Sequence, residues 1–198
     1  MKKIITFIAI GALVSILVFL GLRKYFSIES GEVGNMVSLN KSMEIESVAF
    51  KNGELLPIKY TCDGENINPP LKFKNIPEGT MSLALVLENP HSPLHFDGKW
   101  THWLVWNIPA DTSDINEGNT ILGVVGETSE GLVKYYGPCA SNAETEYWFR
   151  LFALDSGFTL NAEDFTLNGE NYPISREDLD EAMRGHVLTE AKLIGKLN

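Results

Sequence analysis

The sequence has few of the residues that bind transition metals. Its 198 residues include 2 cysteines and 4 histidines, and their spacing matches no established zinc motif. Cys62 and Cys139 allow a single disulfide within the chain. The sequence leaves open whether they pair or remain two separate thiols.

Basic residues are also in the minority. There are 16 Lys and Arg against 26 Asp and Glu, giving a net charge of −10, and every acidic residue follows Leu22. Nucleic-acid grooves need clustered basic side chains around their aromatic stacking surfaces. The acidic body therefore excludes a nucleic-acid partner and repels anionic lipid headgroups.

Internal repeats, low-complexity tracts and a Gly-x-Ser-x-Gly nucleophile elbow are all absent. Residues 25–42 have a mixed composition with Gly and Ser and are predicted to be a linker. Residues 43–198, which follow it, have the length of one domain.

One long apolar run is present, from Ile4 to Leu22, between Lys2-Lys3 and Arg23-Lys24. As a helix it is about 28 Å long, close to the thickness of a bilayer core. The sequence therefore predicts a membrane anchor in residues 1–24, with the rest of the chain extracytoplasmic, in the periplasm or at the cell surface. A cleaved secretory signal is the alternative, although the run is long for one and ends in a poor cleavage site.

Short strand candidates separated by turn formers fill most of the domain, a pattern typical of an antiparallel β-sandwich. The predicted strands are Ile45–Phe50, Ile58–Tyr60, Leu71–Phe73, Ser82–Leu87, Thr101–Ile108, Leu122–Val125 and Tyr147–Leu154. The C-terminus instead predicts two short helices. Ser175 and Asp178 form a capping box for the first, which ends at Gly185, and His186 begins the second.

The loop between the predicted strands Ser82–Leu87 and Thr101–Ile108 contains several candidate functional residues. Three of the four histidines, His91, His95 and His102, lie in or beside it. With Asp97 they form a set of plausible zinc ligands, and Ser92, Ser141 or Cys139 could serve as a nucleophile beside a histidine. A hydrolase, with or without metal, is therefore one alternative for the function.

Several short motifs, in this order and spacing, resemble the phosphatidylethanolamine-binding protein family, and most of all its bacterial Raf-kinase-inhibitor-like branch. The similarity runs from about Glu44 to Gly195. The motifs are Tyr60-Thr-Cys-Asp-Gly-Glu-Asn-Ile-Asn-Pro-Pro-Leu71, Ile76-Pro-Glu-Gly-Thr80, Asn89-Pro-x-x-Pro93, His102-Trp103, Asn107-Ile-Pro109, Gly137-Pro-Cys139, Ala153-Leu-Asp155 and Gly185-His-Val-Leu-x-Glu-Ala-x-Leu-Ile-Gly195.

The resemblance implies a β-sandwich with peripheral helices, no enzymatic activity and a small anion-binding pocket. It also implies departures in that pocket. Asn89 and His91 replace two aspartates of the family loop, Thr145 replaces a histidine, and Glu146 replaces an arginine. The predicted ligand-binding residues are Asn89, His91, Trp100, His102, Pro138, Cys139, Thr145 and Tyr147.

The sequence thus predicts a non-catalytic protein that binds a small anionic ligand or a protein partner, as a kinase or protease inhibitor would. No cofactor is predicted, and the sequence gives no oligomeric state. We expect His102 to donate a hydrogen bond to a bound anion and to lose affinity for it as pH rises. A vestigial pocket, whose polar groups only satisfy one another, is the competing interpretation.

Overall fold

The domain is organised around a six-stranded sheet. It is seen in a computed structural model that describes residues 41–94, 98–118, 123–139, 144–157, 166–167, 170–171 and 173–198. Its strands are β1 (Glu44–Glu46), β2 (Glu54–Leu55), β3 (Leu71–Lys74), β4 (Ser82–Asn89), β5 (Trp100–Pro109), β6 (Asp114–Ile115), β7 (Val124–Val125), β8 (Thr145–Leu154), β9 (Thr166–Leu167), β10 (Glu170–Asn171) and β11 (Val187–Leu197). Helix α1 spans Arg176–Met183, and a 3-10 helix spans Ile58–Tyr60. Residues 42–198 form one compact unit.

Within the described ranges, the strands form three sheets. The large sheet has the order β2-β11-β8-β4-β5-β7, a smaller sheet has the order β1-β3-β6, and β9 pairs with β10. The pairing of β2 with β11 is parallel. The other pairs in the large sheet are antiparallel.

Both faces of the large sheet are buried. Along β4, Leu83, Leu85 and Leu87 pack in one hydrophobic cluster together with residues of the small sheet such as Phe73. The intervening residue Ala84 packs in a second cluster on the opposite face with other buried apolar side chains. Alternate side chains of a strand point to opposite faces, so a continuous apolar run is what a central strand with two covered faces requires.

Helix α1 covers the second face. Ser175 Oγ accepts from the backbone N–H of Asp178, and the Asp178 carboxylate accepts from the backbone N–H of Ser175. This confirms the predicted capping box. The buried side chains of Leu179 and Met183 join the cluster on the sheet, and Gly185 ends the helical region at a φ of +83°, where a side chain would be strained.

The predicted fold class needs three corrections. The large sheet is mixed rather than purely antiparallel, because β2 pairs with β11 in parallel. Ile58–Tyr60 is a 3-10 helix and not a strand. The predicted second helix is strand β11, along which Ala191, Leu193 and Leu197 are buried and Lys192 is exposed. Pairing with β8 along its length favours this alternation over helical packing.

The predicted N-terminal membrane helix is not supported either. Within the described part of the chain, no helix is both long enough and apolar enough to cross a membrane, and the run Ile4–Leu22 lies outside that part. The prediction of a membrane anchor and of an extracytoplasmic location has no support in the described structure.

Candidate ligand-binding site

One end of the large sheet brings three strand ends together. Asn89 ends β4 and pairs with Trp100, which begins β5. Glu88 pairs with Trp148 near the beginning of β8. Because neighbouring strands are antiparallel, the end of β4 lies beside the beginnings of both β5 and β8. Residues far apart in sequence therefore meet at this edge.

A pocket of about 610 Å³ opens here. It is lined by Asn89, His91, Ser92, Pro93, Leu94, Trp100, His102, Glu130, Tyr136, Cys139, Glu144, Thr145, Glu146 and Tyr147. Its size suits a small ligand.

The structure thus places seven of the eight predicted site residues around one pocket. Pro138 is the exception. It lies beside the lining residue Cys139, and its carbonyl oxygen accepts a hydrogen bond from the backbone N–H of Cys62. That these residues bind a ligand stays a prediction.

His102 is one of the most buried polar residues of the lining, with 4% of its surface exposed. Its Nδ1 lies 3.1 Å from the carbonyl oxygen of Tyr136. A carbonyl oxygen only accepts, so Nδ1 carries the hydrogen, and Nε2 of the neutral ring has a free lone pair. Burial lowers the pKa of His102 to about 4, against the smaller opposing effect of that hydrogen bond.

Aromatic rings surround this imidazole. The ring of Tyr136 stacks on it at a centroid distance of 6.5 Å, and the ring of Tyr147 meets it edge-on at 5.3 Å. The Tyr147 hydroxyl donates to the backbone oxygen of Cys139 at 3.1 Å, so the hydroxyl is engaged with the backbone. Burial raises the pKa of Tyr147, which keeps this phenol neutral.

Cys139 and Cys62 are joined by a disulfide, so the alternative in which they pair is the one found. This bond ties the turn beside the pocket to the segment after the 3-10 helix. Gly137 lies two residues before Cys139 in this turn, and its backbone N–H donates to Asn66 Oδ1 at 2.6 Å. A disulfide-bonded sulfur is not a thiolate, so Cys139 is not available as a nucleophile in this state.

Residues 126–139 supply lining residues that sequence reasoning missed, notably Glu130 and Tyr136. The segment follows β5 through backbone hydrogen bonds, including Ser129 N–H to Thr101 O and Tyr136 N–H to His102 O. It has almost no regular secondary structure, and no periodic pattern in its sequence marks it. Sequence reasoning also left Glu144 out of the site.

The charges of the lining are of one sign. Glu130, Glu144 and Glu146 contribute carboxylates, and neither lysine nor arginine is among the lining residues that the structure describes. Lys196 Nζ lies 2.9 Å from Glu144 and 4.0 Å from Glu146. Where the resemblance places an arginine, Glu146 accepts a hydrogen bond from Trp148 Nε1.

The proposed metal ligands cannot be assembled from what is described. His95 and Asp97 lie outside the described residues. Within the described ranges, no group of three His, Cys, Asp or Glu side chains could hold a metal ion. Ser92 Oγ accepts from the backbone N–H of Leu94, a contact typical of a loop. The hydrolase alternative stays a prediction.

Comparison with known proteins gives a consistent result. The sequence profile of the phosphatidylethanolamine-binding protein family matches residues 46–198. A UPF0098 protein of Methanothermobacter thermautotrophicus is 40% identical over 159 residues, which covers 77% of this chain and 97% of the relative. A UPF0098 protein of Chlamydia muridarum is 39% identical over 155 residues, with the same coverage.

Solved structures agree with these relatives. The crystal structure of a phosphatidylethanolamine-binding protein homolog of Chlamydia trachomatis superposes with a TM-score of 0.70 at 34% identity, covering 79% of this chain and 97% of the homolog. YbcL of E. coli superposes with a TM-score of 0.66 at 22% identity, covering 80% of this chain and 99% of YbcL. At that identity the likeness to YbcL concerns the fold alone.

Proposed function

The chain belongs to the phosphatidylethanolamine-binding protein family, and we propose that it is a non-catalytic protein that captures a ligand in the pocket around His102. The ligand is either a small molecule or a side chain of a protein partner. The observation that supports this most is a buried histidine with a free lone pair, set among aromatic rings in a pocket of ligand size.

Catalysis has less support from the same residues. Cys139 is held in a disulfide, and Ser92 Oγ accepts a hydrogen bond from the neighbouring backbone. A hydrolase would need a nucleophile held next to a base, and in the described part of the pocket no hydrogen bond joins a serine or cysteine to His102.

A small anion as the ligand, and inhibition of a kinase or protease, are finer predictions that come from the resemblance. An anion would have to be held by His102 after the ring gains a proton, because the neutral ring offers only its lone pair to the pocket.

The test is a calorimetric titration of the full chain at pH 7 with phosphate, acetate, phosphoethanolamine and n-butylammonium. His102→Gln removes the pocket imidazole, and His186→Gln is the matched control. His186 lies outside the lining and pairs with the Asp155 carboxylate at 2.8 Å. Trp100→Ala gives a second pocket variant that leaves His102 in place.

We expect saturable binding of at least one probe, weakened in both pocket variants and unchanged in His186→Gln. Failure of all four probes to bind would overturn the proposal. So would hydrolysis of simple ester or phosphoester substrates by the wild type that disappears in His102→Gln.

A further inference from the structure

The three carboxylates of the pocket have little nearby positive charge to neutralise them. Lys196 is engaged with Glu144 and lies near Glu146. Glu130 is exposed, and the structure gives it no cationic partner among the described residues. A positively charged group entering the pocket would therefore gain Coulomb energy, and a negatively charged one would lose it.

The aromatic part of the lining favours the same charge. Trp100, Tyr136 and Tyr147 line the pocket, and the negative face of an aromatic ring attracts an ammonium within about 6 Å of its centroid. The same end of the sheet already shows this contact within the chain. Lys192 Nζ lies 3.7 Å from the ring centroid of Trp148, and the Trp148 ring is in edge contact with His91.

The buried imidazole completes the pattern. The lone pair of His102 Nε2 can accept a hydrogen bond, because Nδ1–H donates to the Tyr136 carbonyl oxygen. An ammonium has three N–H donors and can satisfy this acceptor, whereas a fully ionised phosphate or carboxylate has no hydrogen to give it.

We propose that the pocket takes an ammonium group, carried by a small primary amine or by a lysine side chain, rather than an anion. This deepens the proposed function and rests on it. Pro93 and Leu94 are part of the lining and offer apolar surface to the alkyl stem of such a ligand. The pocket would then prefer a positively charged ligand, whereas the resemblance implies a negatively charged one.

The test compares three probes with the same four-carbon chain: n-butylammonium, butyrate and n-butanol. They are titrated into the full chain at pH 7 and low salt by calorimetry. We expect saturable binding of n-butylammonium, weaker binding of butanol and no binding of butyrate. Added salt should weaken the binding of n-butylammonium, since ionic screening acts on exposed charges.

The charge variant is Glu130→Gln/Glu144→Gln/Glu146→Gln, which keeps side-chain size and hydrogen-bonding capacity. We expect it to lower the affinity for n-butylammonium about tenfold, as three partly exposed ion pairs of ordinary strength would predict. Glu78→Gln is the matched control, because Glu78 is exposed and outside the lining. Trp100→Leu should lower the affinity for n-butylammonium roughly fivefold, and Trp100→Phe should lower it by less.

The two sources of ammonium are separated by Nα-acetyl-lysine methylamide. If it binds more tightly than n-butylammonium, the lysine side chain of a partner is the supported source. Equal or weaker binding supports a small amine.

Binding of butyrate or phosphate in preference to the amine, with loss in His102→Gln, would overturn this inference while the proposed function stands. Absence of binding by every probe, phosphoethanolamine included, would instead remove the proposed function itself.

Discussion

His102 Nδ1 and the carbonyl oxygen of Tyr136 are 3.1 Å apart, and this contact fixes what the pocket histidine can do. It orients the ring and determines which nitrogen carries the hydrogen. Burial keeps the ring neutral near pH 7, and the contact leaves Nε2 as the acceptor. The sequence had led us to expect a charged donor.

The first prediction concerns stability against pH. Burial lowers the pKa of His102 from 6.5 to about 4, so between these values the unfolded chain binds a proton that the folded chain does not. Stability should therefore fall as pH drops from 6.5 towards 4. Between pH 7 and pH 5 the proton uptake of His102 in the unfolded chain should lower the free energy of unfolding by about 2 kcal/mol, as follows from the size of the pKa difference.

Urea unfolding of the wild type and of His102→Gln at both pH values checks this. The variant should be less stable than the wild type at pH 7, where it loses the buried contact, and should lose less on acidification. An equal loss on acidification in both proteins would show that His102 titrates normally.

The second prediction concerns a buried carboxylate. Glu88 is 1% exposed, and its oxygens lie 2.8 Å from Arg150 Nη1 and 3.3 Å from Arg176 Nε. Removing its charge leaves the buried Arg176 side chain, which is 6% exposed, with the more exposed Asp180 carboxylate as its remaining ionic partner among the described residues. Glu88→Gln should lower the free energy of unfolding by roughly 3 kcal/mol or more.

A matched control uses the second carboxylate that pairs with Arg150. Glu190 also pairs with Arg150, at 2.7 Å, but its side chain is 35% exposed. Glu190→Gln should change the free energy of unfolding by less than about 1 kcal/mol. Similar losses in the two variants would contradict the difference in burial on which this prediction depends.

The third prediction concerns the turn beside the pocket. A Cβ atom at Gly137 would come within 2.5 Å of the backbone oxygen of Tyr60 and 2.8 Å of the backbone carbon of Thr61. Backbone atoms cannot rotate away, so Gly137→Ala should destabilise the fold by about 1–3 kcal/mol. It should also disturb the adjacent disulfide segment.

Gly157→Ala is the control for that variant, because no heavy atom of the described residues lies within 4 Å of a Cβ atom added there. Thermal unfolding of both variants should show a clear decrease in Tm for Gly137→Ala and almost none for Gly157→Ala. Equal Tm values would mean that the turn is less tightly packed than the structure shows.

The fourth prediction concerns the disulfide, which links residues 77 positions apart. A loop of this length restricts the unfolded chain by roughly 4 kcal/mol in the chain-entropy model. Cys62→Ser/Cys139→Ser should therefore lower the free energy of unfolding by a similar amount under non-reducing conditions. The same loss should appear when the wild type is treated with a reductant, and a wild type insensitive to reductant would contradict the pairing.

The sequence predicted the three central strands and the start of helix α1, but not the fold class as a whole. The apolar runs of β4, β5 and β8 and the capping box at Ser175 are strong local signals, and the family resemblance is confirmed. Strand β11 was misread because Val187 and Ala191 also have helical spacing, and only pairing with β8 decides between the two periods. The alternation of Ala191, Leu193 and Leu197 was the signal that could have identified it.

The pocket was harder to predict, because its chemistry depends on contacts between distant segments. The position of Glu130 and Tyr136 follows from an irregular segment that hydrogen-bonds along β5. The pKa of His102 depends on burial, and the protonated nitrogen is set by a carbonyl 34 positions away. Neither is visible in a pattern of residue types.

The decisive measurement is an NMR titration that follows the side-chain nitrogens of His102 in the full chain at pH 7 while n-butylammonium is added. We predict that Nδ1 carries the hydrogen before and after binding, and that the Nε2 resonance shifts in a saturable way as its lone pair accepts a hydrogen bond. A ring that is already protonated in the free protein would contradict this assignment, as would an Nε2 resonance that responds to phosphate and ignores the amine.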